Sequence, residues 1–195
     1  AEPDELDALA PRLAWHFESA GLPDQAARYH LQAANRASRV AAYDEAIAHL
    51  RQALALIAPL AATPDRCWLE LEAHVAILSP LTYAHGFWSP ERVASLERAF
   101  VLADNPALAA HPRLWTVALA NAYFALWSAE PTRALEISTR AISQSAQVPA
   151  QAQWANCLAG CAHLMRGDAH SAMEYLDRAI DCPAPACDPQ RDLLV

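Results

Sequence analysis

Four segments of this 195-residue chain align on the pattern A-x-x-x-X-x-x-A, with X bulky in three of them, and this constrains its fold more than any other feature. It reads Ala26, His30 and Ala33 in "PDQAARYHLQAA", and Ala46, Leu50 and Ala53 in "YDEAIAHLRQAL". It returns as Ala134, Ser138 and Ala141 in "PTRALEISTRAI", and as Ala172, Leu176 and Ala179 in "AHSAMEYLDRAI". Residues seven apart lie on one face of an α-helix. Two alanines there let a neighbouring helix approach closely, while the residue between them fills the groove. The pattern therefore predicts helices packed in close pairs.

Punctuation agrees with that reading. Pro3, Pro23, Pro64, Pro90, Pro112, Pro131 and Pro149 each open a stretch with helical periodicity. Proline is tolerated in a first helical turn because its missing N–H had no partner there. Thr63-Pro64-Asp65 and Ser89-Pro90-Glu91 add a hydroxyl for capping and an acid that suits the helix dipole. Pro59, Pro80, Pro106 and Pro183 fall where helices are expected to stop. The result is about nine helices, at 4–20, 23–39, 43–58, 64–79, 90–104, 112–128, 131–145, 150–166 and 169–181. Residues 80–89, "PLTYAHGFWS", are expected to form a longer loop carrying exposed aromatics. Glycine is scarce and no segment sustains strand alternation, so the class is all-α.

Charge excludes several functions. The formal charge is −8 and the chain has no lysine, so every fixed cation is an arginine. A nucleic-acid surface needs clustered cations to displace counterions from phosphates, and no basic run is present. Direct binding of nucleic acid or of an anionic membrane is not expected. The uncharged run "LWTVALANAYFALWSA" is short for a bilayer span and carries Asn121, which marks it as a core helix. Five cysteines without framework spacing fit a reducing cytoplasm. Ala1 followed by "EPDELD" reads as a piece of a longer polypeptide.

The alanine-pair helices resemble the second helix of a tetratricopeptide repeat. That repeat requires a small residue about twelve positions before the first alanine and a tight turn between, which Gly160 and Gly167 supply for Ala172. "NCLAGCAHLMRGDAHSAMEYLDRA" matches one such hairpin, with weaker matches over 23–58 and 112–145. The resemblance implies a superhelix of antiparallel helix pairs. Residues 1–182 would form the repeat domain, and 183–195 the start of a further helix or a truncated tail.

The order of segments is similar to the helical region of large bacterial signalling ATPases, including LuxR-type transcriptional regulators and proteins with an adenylate-cyclase domain. The motifs that carry it are His16-Phe17-Glu18-Ser19-Ala20-Gly21, Ala26 to Tyr29, Glu45 to Leu50, Ala62 to Arg66, "GFWSPERVASLERAFVLAD" and "DPQRD". "AAT" replaces the usual leucine-proline opening of one link, and residues 101–115 depart from the family spacing. The resemblance implies a sensor or scaffold arm within a larger switch, with protein partners or other domains of the same polypeptide. An inducer of the kind bound by maltose-type regulators is a variant of that role.

One stretch raises a rival reading. In "CLAGCAHLMRGD", Cys157 and Cys161 stand four apart, with His163 and Asp168 close behind. A structural metal site would need further ligands, such as Cys182 and Cys187, yet one cysteine pair is mid-helix and the other lies among prolines. Free cysteine behaves as a small apolar residue, so a helix crossing at Ala159-Gly160 accounts for the stretch better than a metal does. Eight scattered histidines form no metal motif, and neither a phosphate loop nor a nucleophile elbow is present. No catalytic residue, cofactor or metal is assigned. The alternative remains a small helical enzyme or metal-binding protein that uses the cysteines and histidines.

Helix-pair arrays bind through the first helices of each pair. The alanine phasing places Arg28, Asn35 and Arg39 on that surface in one helix, and Trp154, Cys157 and Cys161 in another. Arginine, asparagine and tryptophan suit a protein partner, or a sugar or carboxylate effector. Self-association is expected through the Met173, Leu176 and Ile180 stripe.

Overall fold

The computed structural model describes residues 3–109, 114–144 and 149–181. Among them the chain is helical and contains no strand. The elements are α1 (Pro3–Ser19), α2 (Pro23–Arg39), α3 (Tyr43–Ile57), α4 (Pro64–Ala76), α5 (Leu78–His85), α6 (Pro90–Ala103), α7 (Leu114–Trp127), α8 (Pro131–Gln144), α9 (Pro149–Met165) and α10 (Ala169–Ile180). A 3-10 turn, Pro106–Leu108, follows α6. The all-α class holds. Pro112 and the segment 183–195 lie outside the described residues.

The four alanine motifs occupy α2, α3, α8 and α10, and all eight alanines are buried. Each motif is entered through the same turn. Leu22 N–H bonds Phe17 O and Gly21 N–H bonds Glu18 O. The same two bonds recur as Ala42 to Ala37 with Ala41 to Ser38, as Glu130 to Ala125 with Ala129 to Leu126, and as Asp168 to His163 with Gly167 to Leu164. This is the Schellman arrangement, which satisfies the last carbonyls of the preceding helix and needs a left-handed residue. That residue is Gly21 (φ 72), Ala41 (φ 58), Ala129 (φ 60) or Gly167 (φ 80), five positions before the first alanine in each case. Twelve positions before it stand Ala14, Ala34, Ala122 and Gly160, all of them buried.

The chain divides into two compact units, Ala1–Leu108 and Ala109–Val195. In the first, α2 packs on α1, α3 and α4, and α4 on α6. Its core is Leu31, Ile47, Leu50, Ile57, Leu69, Ile77 and Leu81 with the intervening alanines. Each such aliphatic side chain contributes about 1.5–3 kcal/mol when fully buried. In the second unit α8 packs on α7 and α9, and α9 on α7 and α10. There Leu114, Leu119, Leu126 and Leu158 are buried around a bed of alanines.

Two local expectations need correction. Residues 80–85 are helical rather than part of a loop, because Pro80 lies in the first turn of α5, where its missing N–H costs nothing. The helix ends at Gly86 (φ 87), whose N–H bonds Thr82 O. Tyr83 and Trp88 are exposed, as expected of that stretch. The second correction is at Ser89. Thr63 caps α4 by accepting from Arg66 N–H at 3.2 Å, whereas the buried Ser89 Oγ makes no cap and has no hydrogen-bond partner. The start of α6 is held by its own side chains instead. Glu91 takes Arg51 of α3 at 2.8 and 2.5 Å, and the buried Arg92 donates to Thr82 Oγ1 at 2.9 Å and Phe87 O at 2.8 Å.

Candidate functional site

Arg28, Asn35 and Arg39 share one face of α2, in the first unit. Arg28 and Arg39 are exposed, and Asn35 is half-buried. On α9, in the second unit, Trp154 is half-buried, Cys157 exposed and Cys161 half-buried. Trp154 meets Tyr123 of α7 edge-on, with ring centroids 6.3 Å apart. The two thiols are neighbours one turn apart. Partial desolvation by its neighbours and the adjacent Cys161 push the thiol of Cys157 up although its surface is exposed, so it stays protonated at neutral pH and is a poor nucleophile.

The crossing expected at Ala159-Gly160 is real. A Cβ on Gly160 would stand 2.7 Å from Leu176 Cγ and 3.2 Å from Ala172 O. The exposure of Cys157 shows that this thiol is not part of the packed interface. Among the described residues no three histidine, cysteine or acidic side chains come together as a metal site. His163 instead bonds Asp168 at 3.1 Å and stacks on Tyr175, and Asp168 caps α10 by accepting from Ser171 N–H. No described helix is long and apolar enough to cross a membrane.

The turn register adds Trp15, Tyr123, Trp127 and Met165 to the residues that the alanine phasing placed on the surface. The position after the small residue is Trp15 on α1, Asn35 on α2, Tyr123 on α7 and Cys161 on α9. Four positions further stand Ser19, Arg39, Trp127 and Met165. Trp15, Trp127 and Met165 are at least half exposed, and Pro11, Arg12, Trp15 and His16 line a shallow hollow on α1. Ala14, twelve residues before Ala26, was the available signal for the α1 set.

No protein-family model matches the chain, and no curated protein matches it in sequence. Among solved structures, the crystal structure of the MamA protein superposes with a TM-score of 0.55 over 91% of this chain and 92% of that one. The two sequences are 16% identical. The fold is a tetratricopeptide-like helical repeat. At that identity the likeness bears on fold alone.

Proposed function

We propose that this chain is a non-catalytic interaction module that binds a protein partner through the first helices of its hairpins. The observation that carries the reading is the repeated hairpin itself, with the same turn and the same buried small residue four times over. A regular array of this kind presents equivalent side chains from successive helices to one ligand. The residues so presented would be Trp15, Arg28, Asn35 and Arg39 in the first unit, and Tyr123, Trp127, Trp154, Cys157 and Cys161 in the second. Exposed aromatic and arginine side chains are the residue types that dominate binding energy at interfaces. A small polar effector, such as a sugar or carboxylate, is a variant that the arginines would also serve.

The order of segments that resembles the helical region of signalling ATPases supports a place within a larger bacterial regulatory polypeptide in the cytoplasm. Its nucleotide-binding and output modules would then lie elsewhere in that polypeptide.

The test is cross-linking of the chain in its native host, comparing wild type with Arg28→Ala/Arg39→Ala and with Trp154→Ala. A partner lost from either variant, with helix content by circular dichroism unchanged, supports the surface. Capture unaffected by both would move the interaction elsewhere. ATP hydrolysis by the chain alone, or stoichiometric zinc or iron by elemental analysis, would favour the enzyme or metal-protein alternative.

A further inference from the structure

A polar junction ties the first three helices together through two imidazoles. His30 of α2 places its Nδ1 2.9 Å from Nδ1 of His49 on α3. Its other nitrogen, Nε2, lies 2.7 Å from Glu18 Oε1 of α1. The same carboxylate oxygen accepts from Gln52 Nε2 of α3 at 3.1 Å. The site is largely closed to solvent, with the side chains of His30 and His49 11% and 19% exposed. Glu45 lies 3.9 Å from His49 Nε2, one turn back on α3. Helix α4 packs on both α2 and α3, and α5 on α3. On α4, Arg66 and Glu70 are paired with each other.

The carboxylate of Glu18 fixes the proton bookkeeping. Glu18 is held below the usual carboxylate range by its hydrogen bond to His30, so it remains an anion and keeps a proton on His30 Nε2. In neutral His30 the Nδ1 lone pair then points at His49, whose Nδ1–H donates to it. One added proton is accommodated at His49 Nε2, on the side of Glu45, without disturbing the N–H···N bond. A second can go only to His30 Nδ1, where two N–H groups would face each other at 2.9 Å. Closed, the pair holds one added proton; open, it holds two.

We propose that His30 and His49 form a proton-operated latch joining α3 to α1 and α2, which the second added proton opens. Burial and the neighbouring His30 hold His49 below the ordinary histidine value, so the two rings resist being charged together. The sign follows from linkage. A histidine depressed in the closed form contributes stability that is full above the free value, about 6.5, and is lost as pH falls below it. One extra proton taken up on opening changes the opening equilibrium by at most about tenfold per pH unit. The α1–α3 stack therefore loosens in mildly acidic surroundings, where carboxylates stay charged and the rest of the fold persists.

The test is amide hydrogen exchange of the whole chain at pH 7.5 and 5.5, corrected for the intrinsic pH dependence of exchange. The expected result is opening of α1 and of the His49 segment of α3 that rises about tenfold at the lower pH. In His49→Gln, whose amide oxygen can accept from a protonated His30 Nδ1, no two N–H groups are forced together and that rise should disappear. Equal protection of the wild type at both values, or an undiminished response in the variant, would overturn the latch. A wild-type ring-proton NMR titration decides the matter even if the variant does not fold. Rings of His30 and His49 that titrate independently of each other would also overturn it; two coupled steps, the lower displaced below the ordinary histidine value, are the result expected.

Discussion

Gly160 is the point at which α9 and α10 close on each other, and its neighbours leave no room for a side chain. A methyl there would stand 2.7 and 2.8 Å from Leu176 Cγ and Cδ2, with the Ala172 carbonyl behind. Gly160→Ala should cost about 1–3 kcal/mol, and Gly160→Leu more, because the helices must separate to admit either. A chemical-denaturation midpoint that does not move would show the crossing to be looser than this. The left-handed turn residues give the opposite expectation. Nothing lies within 4 Å of a Cβ built at Gly21 or Gly167, so only backbone conformation selects glycine there. Ala41 and Ala129 hold the same conformation at φ 58 and 60 with a side chain present. Ala41→Gly and Ala129→Gly should each stabilise by about 0.5–1 kcal/mol, the left-handed penalty of alanine less the added freedom of glycine in the unfolded chain. Gly167→Ala should destabilise by a similar amount, and thermal melts of the three variants would rank them. Such positions differ in how far sequence alone reveals them. The alanine pairs are legible because helical period fixes which residues share a face. The missing Ser89 cap is not, because the rotamer of one hydroxyl depends on neighbours that arrive from other helices.

Ion pairs between helices separate a buried tie from an exposed one. Glu70 of α4, with its side chain 9% exposed, takes Arg66 at 2.6 Å and Arg98 of α6 at 2.7 Å. Arg51 of α3 and Glu91 of α6 pair as closely, but their side chains are 54% and 37% exposed. Water and salt screen the second pair, so its worth is about 0–1 kcal/mol despite the bidentate geometry. Removing the buried carboxylate instead leaves two guanidinium groups facing each other. Glu70→Ala should cost roughly 3 kcal/mol and Glu91→Ala under about 1, read from denaturant midpoints at moderate salt. Equal losses would mean that Glu70 is as well solvated as Glu91. Neither pair was legible in the sequence, since partners 28 and 40 residues apart are set by which helices pack. The same limit explains α5. A proline marks a helix boundary, but whether Pro80 ends one helix or begins the next is decided by the core that buries it with Leu78 and Leu81.

At the scale of the molecule, the boundary between the two compact units falls at Leu108 and Ala109. Hairpins were legible on both sides of it because each is specified locally, by a turn, a small residue and an alanine pair. The proposed binding face was not, since exposed positions are not fixed by the chain's own packing. The sharpest case is α10. Met173 and Ile180, seven apart on one face, are 64% and 77% exposed, while Leu176 between them is half-buried against the Gly160 crossing. In a repeat array each hairpin covers the apolar face of the one before it, so an uncovered stripe is an association surface. The isolated chain should therefore self-associate as its concentration rises, and light scattering across a dilution series would record the mass. Met173→Glu/Ile180→Glu should return it to monomer with its helix content intact. Leu176→Glu would not make a clean control, because it would open the crossing as well as charge the stripe. A wild type that remains monomeric at high concentration would mean that the stripe is already covered by the chain's own residues.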